Sequence, residues 1–500
     1  MTIKPSCQLV LKCVDPQHLE CIVTDPLVLA MKTDAPSGPT TLSLDYFDTS
    51  DHRLYLNQIT YELRQTDVST IVRVIDRCKK HSLGECLQEW ETGSQQAQPQ
   101  LEAFLPSPLG ARLLEIAGSE ALQPIIRARG LRTYMELSAP SGSTVMLYAD
   151  RGLLTSEDQS ENIAEICLDL VSGTVEDLWN VGSIIAGRYP LIIETSTLYQ
   201  RGTTLAGLES SRKKRSYPKV NPKKTLGREI QRILSFCFDE IIKAQKGLLT
   251  QPQDSEAVHQ LRVKIRQLRS FLYFIKPLLP IDGYEKLQHD LSEWAKIFSN
   301  LREIDSMLET WQDLADSYPS LIDNSSELKR ILQTERQPQL ELLLAPTPEM
   351  IGTQVLLNTW NWLQHSILPD NPEFKIPAAA YIKLRLKKVL KRFNKSVQAT
   401  DFNDSSSLHA LRIRSKKLRY VLALLEQVLN KDQLTILASL KELQLNLGQV
   451  CDGPRNLTIM EELRAKYGGE DFAYEAGLFI GFETCKSGML LNEIKEYKVR

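Results

Sequence analysis

One basic segment occurs twice in this chain. From His259 it reads HQLRVKIRQLR, and from His409, 150 residues later, HALRIRSKKLR. In ungapped register His, Leu, Arg, Leu and Arg coincide at five of the eleven positions, and Val263/Ile413, Lys264/Arg414 and Arg266/Lys416 are conservative. Each copy runs on into apolar sequence (SFLYFIKPLL, YVLALLEQVL) and later into a segment ending in an acid (NLREID, LNLGQVCD). A supersecondary unit repeated at this distance is most simply a duplicated helical bundle. Apolar residues spaced three and four apart continue almost to the C terminus. Residues 222–500 are therefore expected to be all α, in two repeats over about 222–345 and 346–500.

On a helix turning about 100° per residue, His259, Arg262, Arg266 and Arg269 fall at about 0°, 300°, 340° and 280°. They make one stripe. Leu261 and Leu268, at about 200° and 180°, put the packing seam beside that stripe. His409, Arg412, Lys416 and Arg419 repeat the geometry. A run of Lys and Arg on one helix is ordinarily a solvated face, and a single histidine is as often a satisfied buried imidazole as a ligand. Recurrence in register argues for use, because like charges spaced four apart do not stabilise a helix by themselves. A second basic helix precedes the second copy, in YIKLRLKKVLKRFNKSV, where Lys383, Lys387, Lys391 and Lys395 follow one another four apart. Facing helices of this density would line a groove of strong positive potential.

The net charge of −2 conceals this. Residues 1–202 carry 16 basic and 26 acidic side chains, whereas residues 203–500 carry 44 and 36. The first half reads mainly as β: alternating runs such as CQLVLKC, STIVRVID, STVMLYAD and AEICLDLV lie between turn-rich stretches. Helical candidates interrupt them near Ser107–Ala117 and Thr174–Ala186. An antiparallel barrel or curved sheet over residues 1–204 fits better than a parallel α/β fold. Residues 205–221, polar and with Pro218, form the expected linker. Its cluster Arg212, Lys213, Lys214, Arg215 fits a solvated linker better than a localisation signal or a polyanion-binding tail. With no leader-like N terminus, no apolar run long enough to span a bilayer and nine cysteines without metal spacing, the chain is expected to be cytosolic.

These residues carry a resemblance. The two HxLR segments, NLREID, LGQVCD and the late FAYEAGLFIGF resemble the CHAD domain, in which paired four-helix bundles enclose a basic cleft that binds inorganic polyphosphate. The resemblance implies a polyphosphate ligand for His259, Arg262, Arg266, Arg269, His409, Arg412, Lys416 and Arg419, with Lys383, Lys387 and Lys391 in addition. It also implies a cytoplasmic protein that can associate with polyphosphate granules.

The first half, through LDYFDTSDHRLYLNQITYELR, IIRARGLRTYMEL, MLYADRGLL, AEICLDLVSG and LYQRG, is similar to the CYTH domain. That fold is a triphosphate tunnel in which inward bases hold phosphate and inward acids hold Mg²⁺ or Mn²⁺. Hard cations need oxygen ligands, and phosphoryl transfer depends on positioning and charge neutralisation. The pattern is broken here. Gln8 and Val10 occupy acid positions of which only the neighbouring Lys12 is kept; Glu62 replaces a base, leaving Arg64. Cys167 interrupts Glu165 and Asp169, Met146 replaces an acid, and Thr197-Leu198 replaces Ser-Lys. Arg132 and Asp150 remain. The expectation is an α+β chain whose barrel is catalytically degenerate, with no firm metal site and Mg²⁺ or Mn²⁺ only if the tunnel works. Hydrolysis of inorganic or nucleoside triphosphate is the alternative. Nucleic-acid binding is disfavoured because the basic stripes lack interleaved aromatics.

Overall fold

The computed structural model describes residues 2–67, 69–76, 87–94, 98–208, 217–322, 326–367 and 372–495. The cluster Arg212–Arg215, with the rest of 209–216 in the expected linker, lies outside the described residues. Two compact units are formed, one by 1–214 with 347–361 and the other by 215–346 with 362–500.

The first unit is built on one antiparallel sheet: β1 (Thr2–Ser6), β2 (Gln8–Cys13), β3 (Gly38–Asp48), β4 (Ile59–Gln65), β5 (Thr70–Asp76), β6 (Leu87–Ser94), β7 (Gln123–Ser138), β8 (Thr144–Ser156), β9 (Gln159–Ser172) and β10 (Leu191–Glu194). Their order is β1-β6-β5-β4-β3-β7-β8-β9-β2-β10. The sheet bends into a tunnel-like trough. Arg64 on β4 interacts electrostatically with Tyr148 on β8, yet three strand steps along a flat sheet would span about 14 Å.

Two helices complete this unit's functional surroundings. Helix α1 (Val175–Ala186) packs on β2 and β9. Helix α2 (Leu198–Leu205) starts with a capping box between Thr197 and Gln200 and packs on β7 and β8. The Thr197-Leu198 pair and the following Arg-Gly thus belong to a helix start. Gly202 is required there because a Cβ would come within 2.4 Å of Ile126. The segment 347–361, expected within the second repeat, packs here instead: Thr353 Oγ1 donates to Leu191 O at 2.6 Å, and Ser183 Oγ to Asn358 at 2.6 Å.

The second unit is helical. It comprises α3 (Leu226–Thr250), α4 (Ser255–Ile275), α5 (Tyr284–Ile297), α6 (Ser299–Ser317), α7 (Glu327–Leu344), the end of α8 (Thr353–Ser366), α9 (Ala378–Gln398), α10 (Ser405–Leu424), α11 (Lys431–Tyr467) and α12 (Glu470–Lys495). Both copies of the basic segment are helical, α4 and α10, and these two pack against each other. Asp254 and Asp404 cap them by accepting backbone N–H groups, the use of Asp before a helix that the turn chemistry favours. A pseudo-two-fold axis is visible where α3 and α9 begin. Leu226 N–H donates to Ile376 O, and Ala378 N–H donates to Lys224 O, around the bridge Thr225–Pro377. Met307, Trp311, Phe472 and Phe479 form a buried core at one end of the unit.

The close approach at Gly202 generates a prediction. Gly202→Ala is expected to cost about 1–3 kcal/mol, read as a lower urea midpoint with an unchanged slope, because the methyl must displace Ile126.

Candidate functional site

Strand register assembles the sheet residues that sequence reasoning singled out. Gln8 stands opposite Asp169, Val10 opposite Cys167 and Lys12 opposite Glu165. On the other side of β9, Met146, Tyr148 and Asp150 face Asp169, Cys167 and Glu165, and Arg132 lies beside Asp150. Residues directly opposite share a face. Lys12, Arg132, Asp150, Glu165 and Asp169 are therefore on one surface with the replacements Gln8, Val10, Met146 and Cys167. Arg64 and Glu62 line the far limb of the trough.

The charges on that surface are already matched. Arg132 makes two 2.7 Å hydrogen bonds to Asp150 and stacks over Tyr148. Arg201, from α2, reaches Glu165 at 2.6 Å; Lys12 binds Glu161 at 2.6 Å; Arg64 binds Glu62 at 3.1 Å; and Arg73 binds Glu91 at 2.7 Å. Burial would raise the Glu62 carboxyl, but Arg73, Arg64 and Tyr46 hold it below the usual range. Burial wins at Glu165 and raises it despite Arg201. Gln8 donates to Asp169 and to the Cys167 sulfur. Among the described residues no three His, Cys, Asp or Glu side chains are grouped to hold a metal ion. With Asp150 and Glu165 each engaged by arginine, the residues present do not fit a divalent-ion site. Arg201 has no local signal in sequence, because its role depends on a helix reaching back to Glu165 on a distant strand.

In the helical unit the two stripes are brought face to face. Arg266 and Lys416 occupy the same repeat position, and Lys416 from α10 feels Arg266 from α4. Lys417 likewise feels Arg269 and sits over the Tyr273 ring at 4.8 Å. Burial, then Arg412, Arg266 and Arg419, push Lys416 down to about 7, with Asp452 opposing. Burial and Arg266 push Arg262 down to about 10 and lower Arg269. The His259 imidazole is lowered by burial, then by Arg302 and Arg266. Several cations at one place, held partly out of water, are costly unless an anion joins them.

Individual contacts show how these cations are aimed. Arg262 donates to Ala295 O and to Ser299 Oγ at 2.9 Å. Arg269 reaches Gln288 at 3.3 Å. Arg412 makes a bidentate pair with Asp452 at 2.6 and 2.9 Å. Arg419 lies over Tyr420 with its Nε buried and unpartnered.

Not every expected residue joins the group. His409 is exposed at the start of α10, unlike half-buried His259. Lys383, Lys387 and Lys391 are exposed on α9, and no contact among the described residues links them to the stripes. Their helix turns Ile382, Arg385, Leu386 and Phe393 inward instead. Arg385 in particular donates to the Phe274 carbonyl at 2.8 Å, so the lysines follow the outward face. Arg302 and Lys417 were missed. Arg302 lies inside the NLREID segment, where the acid drew the reading, and binds Glu309 at 2.9 Å beside His259.

The second unit is thus a duplicated all-α unit in which basic stripes of the two repeats approach one another. Residues 232–454 match the family model of the CHAD domain, so the helical half carries a CHAD domain. No curated protein matches the chain. Among solved structures, the CHAD domain from the plant Ricinus communis is 22% identical with a TM-score of 0.45, covering 57% of this chain and 96% of that one. PptA from Streptomyces chartreusis is 13% identical with a TM-score of 0.41, covering 55% and 98%. A putative adenylyl cyclase from Hippeastrum, described as having a dominant triphosphatase activity, is 12% identical with a TM-score of 0.29, covering 40% and 96%.

The depressed lysine yields a pH prediction. Between about 7 and the ordinary 10.5 the unfolded chain binds the proton that folded Lys416 has lost, so stability rises with pH across that window. Melting temperature of the wild type is expected to rise from pH 7 to about 9.5 relative to Lys416→Met, measured in parallel at low salt.

Proposed function

We propose that the helical unit binds inorganic polyphosphate or a closely related polyanion, and that the first unit is a triphosphate tunnel that has lost catalysis. The observation that carries the first part is the meeting of Arg266 and Lys416, with Arg262, Arg269, Arg302, Arg412 and Arg419 around them. Arginine offers phosphate oxygens a planar fork and lysine a mobile point charge. A single anionic group satisfies one such side chain; a chain of phosphates satisfies several in succession. No helix among the described residues is long and apolar enough to cross a membrane. We place the protein's work where polyphosphate accumulates, in the cytoplasm and at its granules, and take residues 1–204 and 222–500 as its two domains.

The second part is supported by charge matching in the trough. A tunnel that takes up triphosphate needs bases to spare and acids free for metal; here Arg132 and Arg201 consume Asp150 and Glu165. The competing reading is a working inorganic or nucleoside triphosphatase. It draws on the retention of Lys12, Arg64, Arg132, Asp150, Glu165 and Asp169 on connected strands of one sheet.

Two measurements test these parts. Titration of the full chain with long-chain polyphosphate at low salt is expected to give binding that weakens steeply as salt rises. Arg266→Ala should weaken it about tenfold or more, in line with loss of a charge-assisted contact. Absence of any heat or mobility shift at low salt would refute it. Phosphate release from tripolyphosphate or ATP with Mg²⁺ or Mn²⁺ is expected to stay at background. Turnover abolished by Arg132→Ala would instead establish the triphosphatase.

A further inference from the structure

The two repeats place equivalent cations on equivalent helix faces but leave them in different states. In the first repeat the hydrogen bonds described for Arg262 go to neutral acceptors, Ala295 O and Ser299 Oγ, and the Glu303 carboxylate acts on it electrostatically with no described hydrogen bond to it. In the second, its counterpart Arg412 is held by both oxygens of Asp452, at 2.6 and 2.9 Å. Two anionic oxygens on one guanidinium fork is the geometry in which arginine takes a phosphate. The carboxylate stands where ligand oxygens would sit.

The acid that closes the corresponding segment of the first repeat behaves differently. Asp305 is buried and given over to Arg336, which also binds Gln253 O. That pair holds α6 against α7 and leaves the stripe alone. Asp452 is half exposed, at 50%. It lies between Gly448 and the Gly453-Pro454 pair, the weakest helix-forming stretch of α11. Pro454 has no N–H to close on the Val450 carbonyl, so this turn is held by fewer hydrogen bonds than its neighbours.

We propose that Asp452 is a built-in competitor of the polyanion, occupying Arg412 in the free protein and displaced when a phosphate chain engages the second repeat. The inference rests on the polyanion reading above. It makes the halves of the site unequal: His259, Arg262 and Arg266 receive the chain first, and Arg412 follows only after its carboxylate leaves. Lys416 also faces Asp452. Displacement therefore strips two cations at once, and the ligand must bring more than one charge to that place. A chain does so where a lone phosphate does not.

The test uses the full-length protein as wild type, Asp452→Asn, Arg412→Ala and the double variant, each titrated with long-chain inorganic polyphosphate and with orthophosphate at low salt. Melting temperatures confirm folding. Asp452→Asn is expected to bind polyphosphate about five- to tenfold more tightly, and to gain nothing in the Arg412→Ala background. Asp290→Asn, which removes a partly exposed carboxylate paired with Lys286, should change affinity less than about twofold. Unchanged or weaker binding by Asp452→Asn, with wild-type binding intact, overturns the proposal. So does a gain that persists without Arg412, which would be a long-range charge effect. Failure of both wild type and Asp452→Asn to bind overturns the polyanion reading itself, and the competitor with it.

Discussion

Arg266 and Lys416 meet because duplication places the same repeat position on both sides of a two-fold axis. The two helices that carry them pack against each other. The packing itself is apolar: Leu261, Ile265, Leu268 and Leu272 of α4, and Leu408, Leu411 and Leu418 of α10, are buried. Each fully buried side chain of this kind contributes about 1.5–3 kcal/mol, so the seam tolerates repulsion that an isolated helix would not. Hydrophobic burial beside the stripe thus offsets a concentration of positive charge, and burial first, then Arg412 and Arg266, lowers Lys416.

The sheet solves the opposite problem. Its trough contains many ionisable groups, but each base with a described role there has an internal acid: Arg132 with Asp150, Arg201 with Glu165, Lys12 with Glu161, Arg73 with Glu91. Removing one partner from the two buried pairs, Arg132–Asp150 and Arg201–Glu165, leaves a charge that nothing neutralises, commonly a loss of about 3–5 kcal/mol. These residues consequently persist for folding whether or not any substrate enters. The presence of Arg132 or Glu165 is therefore explained by pairing alone, and Val10, Cys167 and Met146 on the same face bring no carboxylate to it.

Periodicity explains why much of this was legible in sequence. Alternation in QLVLKC, TIVRVID and the long runs around STVMLYAD and AEICLDLV corresponds to β2, β5, β8 and β9. The three- and four-residue spacing of apolar side chains corresponds to the helices, and the repeat located the stripes before their contacts were known. What sequence leaves open shares a cause: each point needs a partner distant in sequence. Lys383, Lys387 and Lys391 form a stripe as regular as the others, but the inward choice of α9 is made by Arg385 reaching the carbonyl of Phe274. Asp452, Arg302 and Arg201 become informative only when the helix opposite is known. The packing of segment 347–361 on β10 through Thr353 and Leu191 has no local signal at all.

Duplication gives two copies of a backbone, not two copies of an environment. Once both halves exist, each position can drift so long as the apolar seam survives, because the seam and not the stripe stabilises the fold. His259 stayed half-buried beside Arg302 while His409 became exposed. Arg262 kept neutral partners while Arg412 acquired a carboxylate. Had the stripes been selected only as solvated surface, charge lost in one copy would be as harmless as charge lost in the other, and nothing would keep cations at the axis where they repel most. Charge or imidazole is present at every stripe position of both copies, His259/His409, Arg262/Arg412, Arg266/Lys416 and Arg269/Arg419, and what differs between the copies is the partner each side chain meets.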